Sequence, residues 1–280
     1  MNMRDLILVL NAAEGRVQFV LARQEESGKD VETLCAQDWA APSRGTEILP
    51  SAVRQAFALL ERNTQDLDRV VCVNGPGSFT GIRLALSFAA ALRRATGARL
   101  APLNYLQVLA ASAPALPGLV GPRTVRVLTH ARRGLVHGQD FWVEASAETC
   151  PAALSQPDMM TVEQAVNTLP PLTGRGPVQL VGSGVTRNLA SLMSQLPEGC
   201  IPVPSIADQP SLRVLLEQGL LSEAVEQDLE PLYLRPCDAE DNLPHIARQS
   251  GQAPEEAQAR LDALLARKPV PQAESQTDLF

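Results

Sequence analysis

The sequence predicts an α/β protein made of two similar halves, each a mixed sheet with helices on its faces. Three observations predict it. A hairpin followed by alternating helices and strands runs from residue 6 to residue 111 and recurs from residue 125 to residue 218. In each pass a buried-strand candidate runs straight into a glycine turn and a helix, at 75–81 and again at 182–184. A 280-residue chain with 45% hydrophobic residues can also bury a sizeable core. Strands that pair first and then alternate with helices indicate sheets covered by helices rather than a sandwich or a bundle.

In the first half, residues 6–10 form an apolar strand, 11–15 (Asn-Ala-Ala-Glu-Gly) a turn, and 16–22 a return strand with apolar side chains at alternate positions. The polar stretch 24–30 separates this hairpin from a third strand candidate at 31–36. Residues 47–63 place Leu49, Val53, Ala56, Phe57 and Leu60 at helical spacing. Pro50 falls in the first turn, where a missing amide is tolerated, and Thr46 stands where a cap is wanted. A buried strand at 69–74 leads into the glycine loop 75–81 and a long apolar helix to residue 95, closed by Gly97. A strand at 99–103 and a short helix at 105–111 complete the half.

The proline- and glycine-rich stretch 114–122 reads as a linker. After it come strands at 125–129 and 135–143 about a turn at 131–134, a helix near 162–168 and a strand at 178–181. A helix at 185–195, a short strand at 201–203 and a helix at 212–218 follow. The expected organisation is 1–113 for the first half, 114–122 for the linker, 123–237 for the second half and 238–280 for a tail, partly helical and then disordered. This duplicated arrangement is that of the actin-like ATPase (ribonuclease H-like) fold.

The formal charge of −7 and the absence of a basic stripe argue against a protein that grips a nucleic-acid backbone alone. The pairs Arg93-Arg94 and Arg132-Arg133 read as solvated helix ends or turn edges. No window approaches the roughly 20 apolar residues of a bilayer span, which predicts a cytoplasmic protein without membrane contact. Cys35, Cys72, Cys150, Cys200 and Cys237 are too scattered for a disulfide framework or a paired metal site. With His130, His137 and His245 as the histidines and no HExxH, neither a metal site nor a protease is indicated.

Two features carry candidate chemistry. In the loop, Gly75 and Gly77 flank Pro76 so that the backbone can turn sharply, Ser78 and Thr80 can cap the following helix, and Gly81 and Arg83 open it. First-turn amides left free there would receive an anion such as a nucleotide phosphate; alternatively the glycines only permit tight packing. The helix itself is apolar at nearly every position from 82 to 92, with Arg83 and Ser87 the exceptions, so it must be covered on two sides. The first helix carries a second stripe, Ile48, Ala52 and Leu59, beside the one already named. A second chain could cover these surfaces, or the two helices could pack on each other.

The run Asn74-Gly-Pro-Gly-Ser-Phe-Thr-Gly-Ile-Arg83 resembles the most distinctive stretch of the TsaB (YeaZ) family, a GPGSFTGxR string opening a helix. Three further segments agree in order and spacing: Thr46-Glu-Ile-Leu-Pro50, Thr129-His-Ala-Arg132 and Glu230-Pro-Leu-Tyr-Leu-Arg235. The resemblance implies a non-catalytic dimerisation subunit of the machinery that places threonylcarbamoyl on adenosine 37 of certain transfer RNAs. It implies that the two helices are shared between self-pairing and pairing with the catalytic subunit TsaD, through which the ATPase TsaE and tRNA are reached. The residues concerned would be Ile48, Leu49, Ala52, Val53, Phe57, Leu59 and Leu60 on one helix and Ile82, Leu84, Ala85, Phe88 and Leu92 on the other. ATP or ADP and magnesium would be bound only with those partners.

Two departures from the family pattern bear on this. Asn11 stands where an aspartate is expected, followed by Ala12-Ala13, and His130 replaces the aspartate before Ala-Arg in the second half. An amide cannot act as a base, and a lone histidine at a strand end reads more readily as a packing or surface residue than as a catalyst. The catalytic relatives carry two histidines four apart, and no such pair occurs. The alternatives are an autonomous small-molecule kinase of the same fold, which the missing carboxylates disfavour, and a regulatory homodimer. In the tail, Gln276, Asp278, Leu279 and Phe280 resemble the short peptides that plug into a bacterial sliding clamp, although a pattern this short also arises by chance or packs on its own domain.

Overall fold

A computed structural model describes residues 5–24, 30–40, 45–113, 121–144, 149–170, 176–203, 205, 208–234 and 243–265. The chain divides into two compact units, residues 1–234 and 235–280. In the first unit β1 (Leu6–Asn11), β2 (Arg16–Gln24) and β3 (Val31–Ala40) form an antiparallel meander. A helix, α1 (Gly45–Leu59), leads to β4 (Leu67–Gly75), which pairs parallel with β1; α2 (Phe79–Thr96) leads to β5 (Arg99–Asn104), which pairs parallel with β4. The sheet order is β3-β2-β1-β4-β5.

After α3 (Tyr105–Ala111) the second sheet repeats that order. The strands are β6 (Arg123–Arg132), β7 (Leu135–Val143), β8 (Ala152–Ala153), β9 (Asp158–Thr161), β10 (Val178–Val181) and β11 (Cys200–Pro202). The sheet runs β11-β10-β6-β7-β8, with β9 also on β7. In both sheets the first strand has its hairpin partner antiparallel on one side and a later strand parallel on the other. The duplication expected of an actin-like fold is therefore present strand by strand.

Both faces of the first sheet are covered, which is why β1 reads as a continuous apolar run rather than an alternating one. Leu6, Leu8 and Leu10 pack outward against Leu49, Val53 and Phe57 of α1 and Ile82, Ala85 and Ala89 of α2. Ile7 and Val9 point inward to a core shared with α3, with α7 (Leu212–Leu221) and with Val125, Val127 and Phe141 of the second sheet. The outer face of the second sheet is closed by α4 (Val162–Asn167), α5 (Ser183–Arg187) and α6 (Leu189–Met193). Residues after α7 return to the first half: Val225 bridges Leu100, and the Leu232 amide donates to the Asn74 carbonyl at 2.7 Å.

Several boundaries differ from expectation for local reasons. The helix expected over 47–63 ends at Leu59, because Asn63 caps a separate 3-10 turn, Thr64–Asp66, in a capping box with Asp66. It also begins at Gly45, one residue before the cap expected at Thr46. The helix expected over 185–195 breaks into α5 and α6 at Asn188, whose side chain donates to the Gly184 carbonyl at 2.8 Å and competes with the helix ladder. The short strands β8 and β9 carry no alternating signature and were not expected. The second unit contains α8 (Leu243–Gln249) and α9 (Pro254–Leu265), both within the tail expected to be partly helical. Most of the linker, residues 114–120, and the clamp-like end, 276–280, lie outside the described residues.

Candidate functional site

The two outer helices divide their apolar residues between the core and the surface. Leu49, Ala52, Val53 and Phe57 of α1, and Ile82, Ala85 and Leu92 of α2, are buried within the chain's own core. Packing on the first sheet accounts for them. The surplus that remains is narrower than the stripe read from the sequence: Ile48, Leu60, Leu84 and Phe88 are half-buried, and Leu59 is 75% exposed. A 75% exposed leucine at the end of an amphipathic helix is the clearest apolar projection on this face.

The glycine loop tucks onto the turn of the first hairpin. A Cβ at Gly81 would lie 1.9 Å from the Ala12 carbonyl oxygen, and one at Gly77 would lie 2.4 Å from that of Ala13. Both positions thus require glycine for close backbone approach. Ser78 caps α2 by accepting from the Gly81 amide at 3.3 Å, and its own amide donates to the Ala13 carbonyl at 2.6 Å. Thr80 lies exposed within the first turn and does not cap. Gly75 faces the Leu232 carbonyl, 2.7 Å from where a Cβ would stand.

Arg83 lies over the Phe79 ring at 3.9 Å, and its Nε donates to the Tyr233 hydroxyl at 2.9 Å; the Phe79 and Tyr233 rings stack with centroids 5.3 Å apart. Asn74 Nδ2 donates to the Glu230 carbonyl at 3.1 Å. The loop motif and the Glu230–Leu234 part of the closing motif are therefore one packed assembly. Every one of the loop's three glycines has a packing reason in the folded chain.

At the ends of the first strands the side chains are committed. Asn11 is buried, its amide donating to Gln18 Oε1 at 2.7 Å and its oxygen accepting from the Ala13 amide at 3.0 Å. The His130 backbone amide donates to Ser183 Oγ at 2.9 Å, and burial, then Arg187, holds its imidazole below the ordinary value. Among the described residues no group of three or more His, Cys, Asp or Glu is arranged to hold a metal. Neither Asn11 nor His130 supplies the carboxylate that a magnesium–nucleotide would need at these two positions.

The sequence reading missed Glu14, in the turn of the first hairpin. Its carboxyl group reaches across to the second half, accepting from Ser183 Oγ at 2.6 Å, and stands 3.2 Å from the Tyr105 hydroxyl. The residue as a whole is half-buried, but enclosure of the carboxyl group raises its pKa to about 7 against the pull of Ser183, Tyr105 and Arg187. It is the lone acidic residue between positions 6 and 22, and that was the available signal.

Comparison with known proteins bears on this assembly. The tRNA threonylcarbamoyladenosine biosynthesis protein TsaB of Bacillus subtilis (strain 168) is 34% identical over 73 residues, which span 26% of this chain and 30% of that protein. YeaZ from Pseudomonas aeruginosa superposes with a TM-score of 0.63 at 17% identity, over 82% of this chain and all (100%) of that one. The chain thus resembles proteins of the TsaB (YeaZ) family. A second Pseudomonas aeruginosa structure, described as an uncharacterized protein with similarity to peptidase YEAZ, agrees at a TM-score of 0.66 and 18% identity over the same shares, 82% and 100%. At these identities the structural likeness speaks for the fold. The family model of TsaD, tRNA N6-adenosine threonylcarbamoyltransferase, matches residues 41–167 of this chain, from before α1 through α4.

Proposed function

We propose that the chain is the non-catalytic dimerisation subunit of tRNA threonylcarbamoyladenosine synthesis, presenting the α1–α2 face to a TsaD-like catalytic subunit and reaching a TsaE-like ATPase and tRNA through it. The observation that carries this is the residual apolar seam, the exposed Leu59 with the half-buried Ile48, Leu84 and Phe88 of α1 and α2 and Leu60 just past α1, beside core-facing residues already satisfied. In the absence of partners the same seam pairs two copies of the chain. The biosynthetic role named for the Bacillus subtilis relative supports the reading, as does the net charge of −7, which leaves tRNA contact to a partner.

A catalytic role is disfavoured by the commitment of Asn11 to Gln18 and Ala13, and of the neighbouring Glu14 carboxyl to Ser183 and Tyr105. ATP and magnesium then bind only in the assembled complex, in the cytoplasm where tRNA is modified. Among the described residues no helix is long and apolar enough to cross a membrane. The test is deletion of the gene with measurement of threonylcarbamoyladenosine in bulk tRNA. The modification should fall and return with a plasmid copy; an unchanged level overturns the proposal. Tight ATP binding by the isolated chain in calorimetry would instead favour a kinase.

A further inference from the structure

We propose that Glu14 holds a proton in the folded chain and uses it to clasp the two halves together, so that their junction is a proton-sensitive latch. Ser183 Oγ donates to one carboxyl oxygen of Glu14 at 2.6 Å while accepting from the His130 amide at 2.9 Å, which fixes the direction of that bond. The other carboxyl oxygen stands 3.2 Å from the Tyr105 hydroxyl, which also stands 3.1 Å from Gln209 Oε1. The Gln209 amide is oriented by Nε2 donating to the Glu14 backbone carbonyl at 3.4 Å, so its oxygen faces Tyr105. Tyr105 is fully buried and has a single hydroxyl proton for two acceptors.

With Glu14 ionised, one of those contacts is acceptor against acceptor. With a proton on Glu14, the chain closes: Glu14 donates to Tyr105, Tyr105 donates to Gln209, and every oxygen is satisfied. The charged neighbours divide. Arg187 on α5 favours ionisation, Asp208 opposes it while accepting from Thr186 Oγ1 at 2.7 Å, and burial outweighs both. His130 at the end of β6 is itself held below its ordinary value and adds no balancing charge at neutral pH. Asp38 on β3, paired with Arg16 at 2.6 Å and Gln18 at 3.0 Å, acts on Tyr105 rather than directly on Glu14. Burial, then the Glu14 carboxyl, push the Tyr105 phenol well above its ordinary value, so it remains a donor.

This junction lies apart from the α1–α2 seam, and the inference does not depend on the partner reading. The unfolded chain releases the Glu14 proton near 4.5 and the folded chain near 7. Stabilisation from the clasp is therefore complete below 4.5 and is lost as pH rises through 7. Over that window one proton's linkage raises the unfolding constant by up to about tenfold per pH unit.

The experiment combines a carbon-13 carboxyl titration of Glu14 in the full chain with urea unfolding of wild type and Glu14→Gln from pH 4.5 to 8.5. Glutamine keeps an acceptor for Ser183 and a permanent donor for Tyr105. The expected results are a Glu14 midpoint near 7, and a difference in stability between variant and wild type that moves in favour of the variant as pH rises and levels off above 7. A midpoint below 5, or a difference that does not vary with pH, overturns the latch. Should the variant fail to fold, the wild-type carboxyl titration decides the matter alone.

Discussion

The two halves share one strand order but close their outer faces by different means. The first half uses two long helices, 15 and 18 residues, and an aliphatic interface in which Leu8 opposes Leu21 across β1 and β2. In the second half the covering helices have only 6, 5 and 5 residues, too short to be stable without tertiary anchors. Arg126 there opposes Asp140 across β6 and β7 in a bidentate pair at 2.6 and 2.5 Å, with side chains only 5% and 7% exposed. Arg126 also donates to the Ala165 carbonyl and to Thr168, tying α4 to the sheet. The second half is thus closed by an internal ion pair, while the first keeps apolar surface beyond what its own sheet needs. The proposed partner surface lies on the half with the surplus.

The largest expected effect tests the ion pair. Asp140→Ala should cost about 3–5 kcal/mol in urea unfolding, because it strands a buried guanidinium, whereas the paired change Arg126→Met with Asp140→Leu should cost far less. Equal losses would mean that shape, and not charge, closes the second half. Next is Gly81→Ala, whose Cβ would meet the Ala12 carbonyl at 1.9 Å and should cost about 1–3 kcal/mol or more. The second-half counterpart, Gly184→Ala, meets the Leu128 carbonyl at 2.8 Å and should cost less in the same melting assay. Arg83→Ala, which removes the stacked cation between the loop and Tyr233, should cost only about 0.5–1 kcal/mol, since the site is exposed.

Much of this was legible from local pattern. The strands at 135–143 and 178–181 and the helix at 105–111 lie where apolar runs and end signals put them, the last because Asn104 accepts from the Leu106 and Gln107 amides as its cap. What escaped depends on partners far along the chain. Nothing near residues 212–234 reveals that they lie against the first sheet, and Glu14 gains its meaning from Ser183, 169 residues away. Of the helix stripes, spacing put the buried Ala52, 6% exposed, on one stripe with Leu59, 75% exposed, and could not separate either from Phe57, 4% exposed. That division is made by where β1 and α2 sit.

The smallest effect on stability falls on the proposed partner surface. Leu59→Asp lies on the exposed end of α1 and should change stability by no more than about 0.5 kcal/mol, unlike an aspartate at the buried Phe57. The measurement is capture of the TsaD-like catalytic subunit of the same organism by the purified chain, with size-exclusion chromatography of the chain alone. Wild type should pair with itself and retain the catalytic subunit, and folded Leu59→Asp should do neither. Undiminished capture by the folded variant would contradict the assignment of the α1–α2 face as the partner surface.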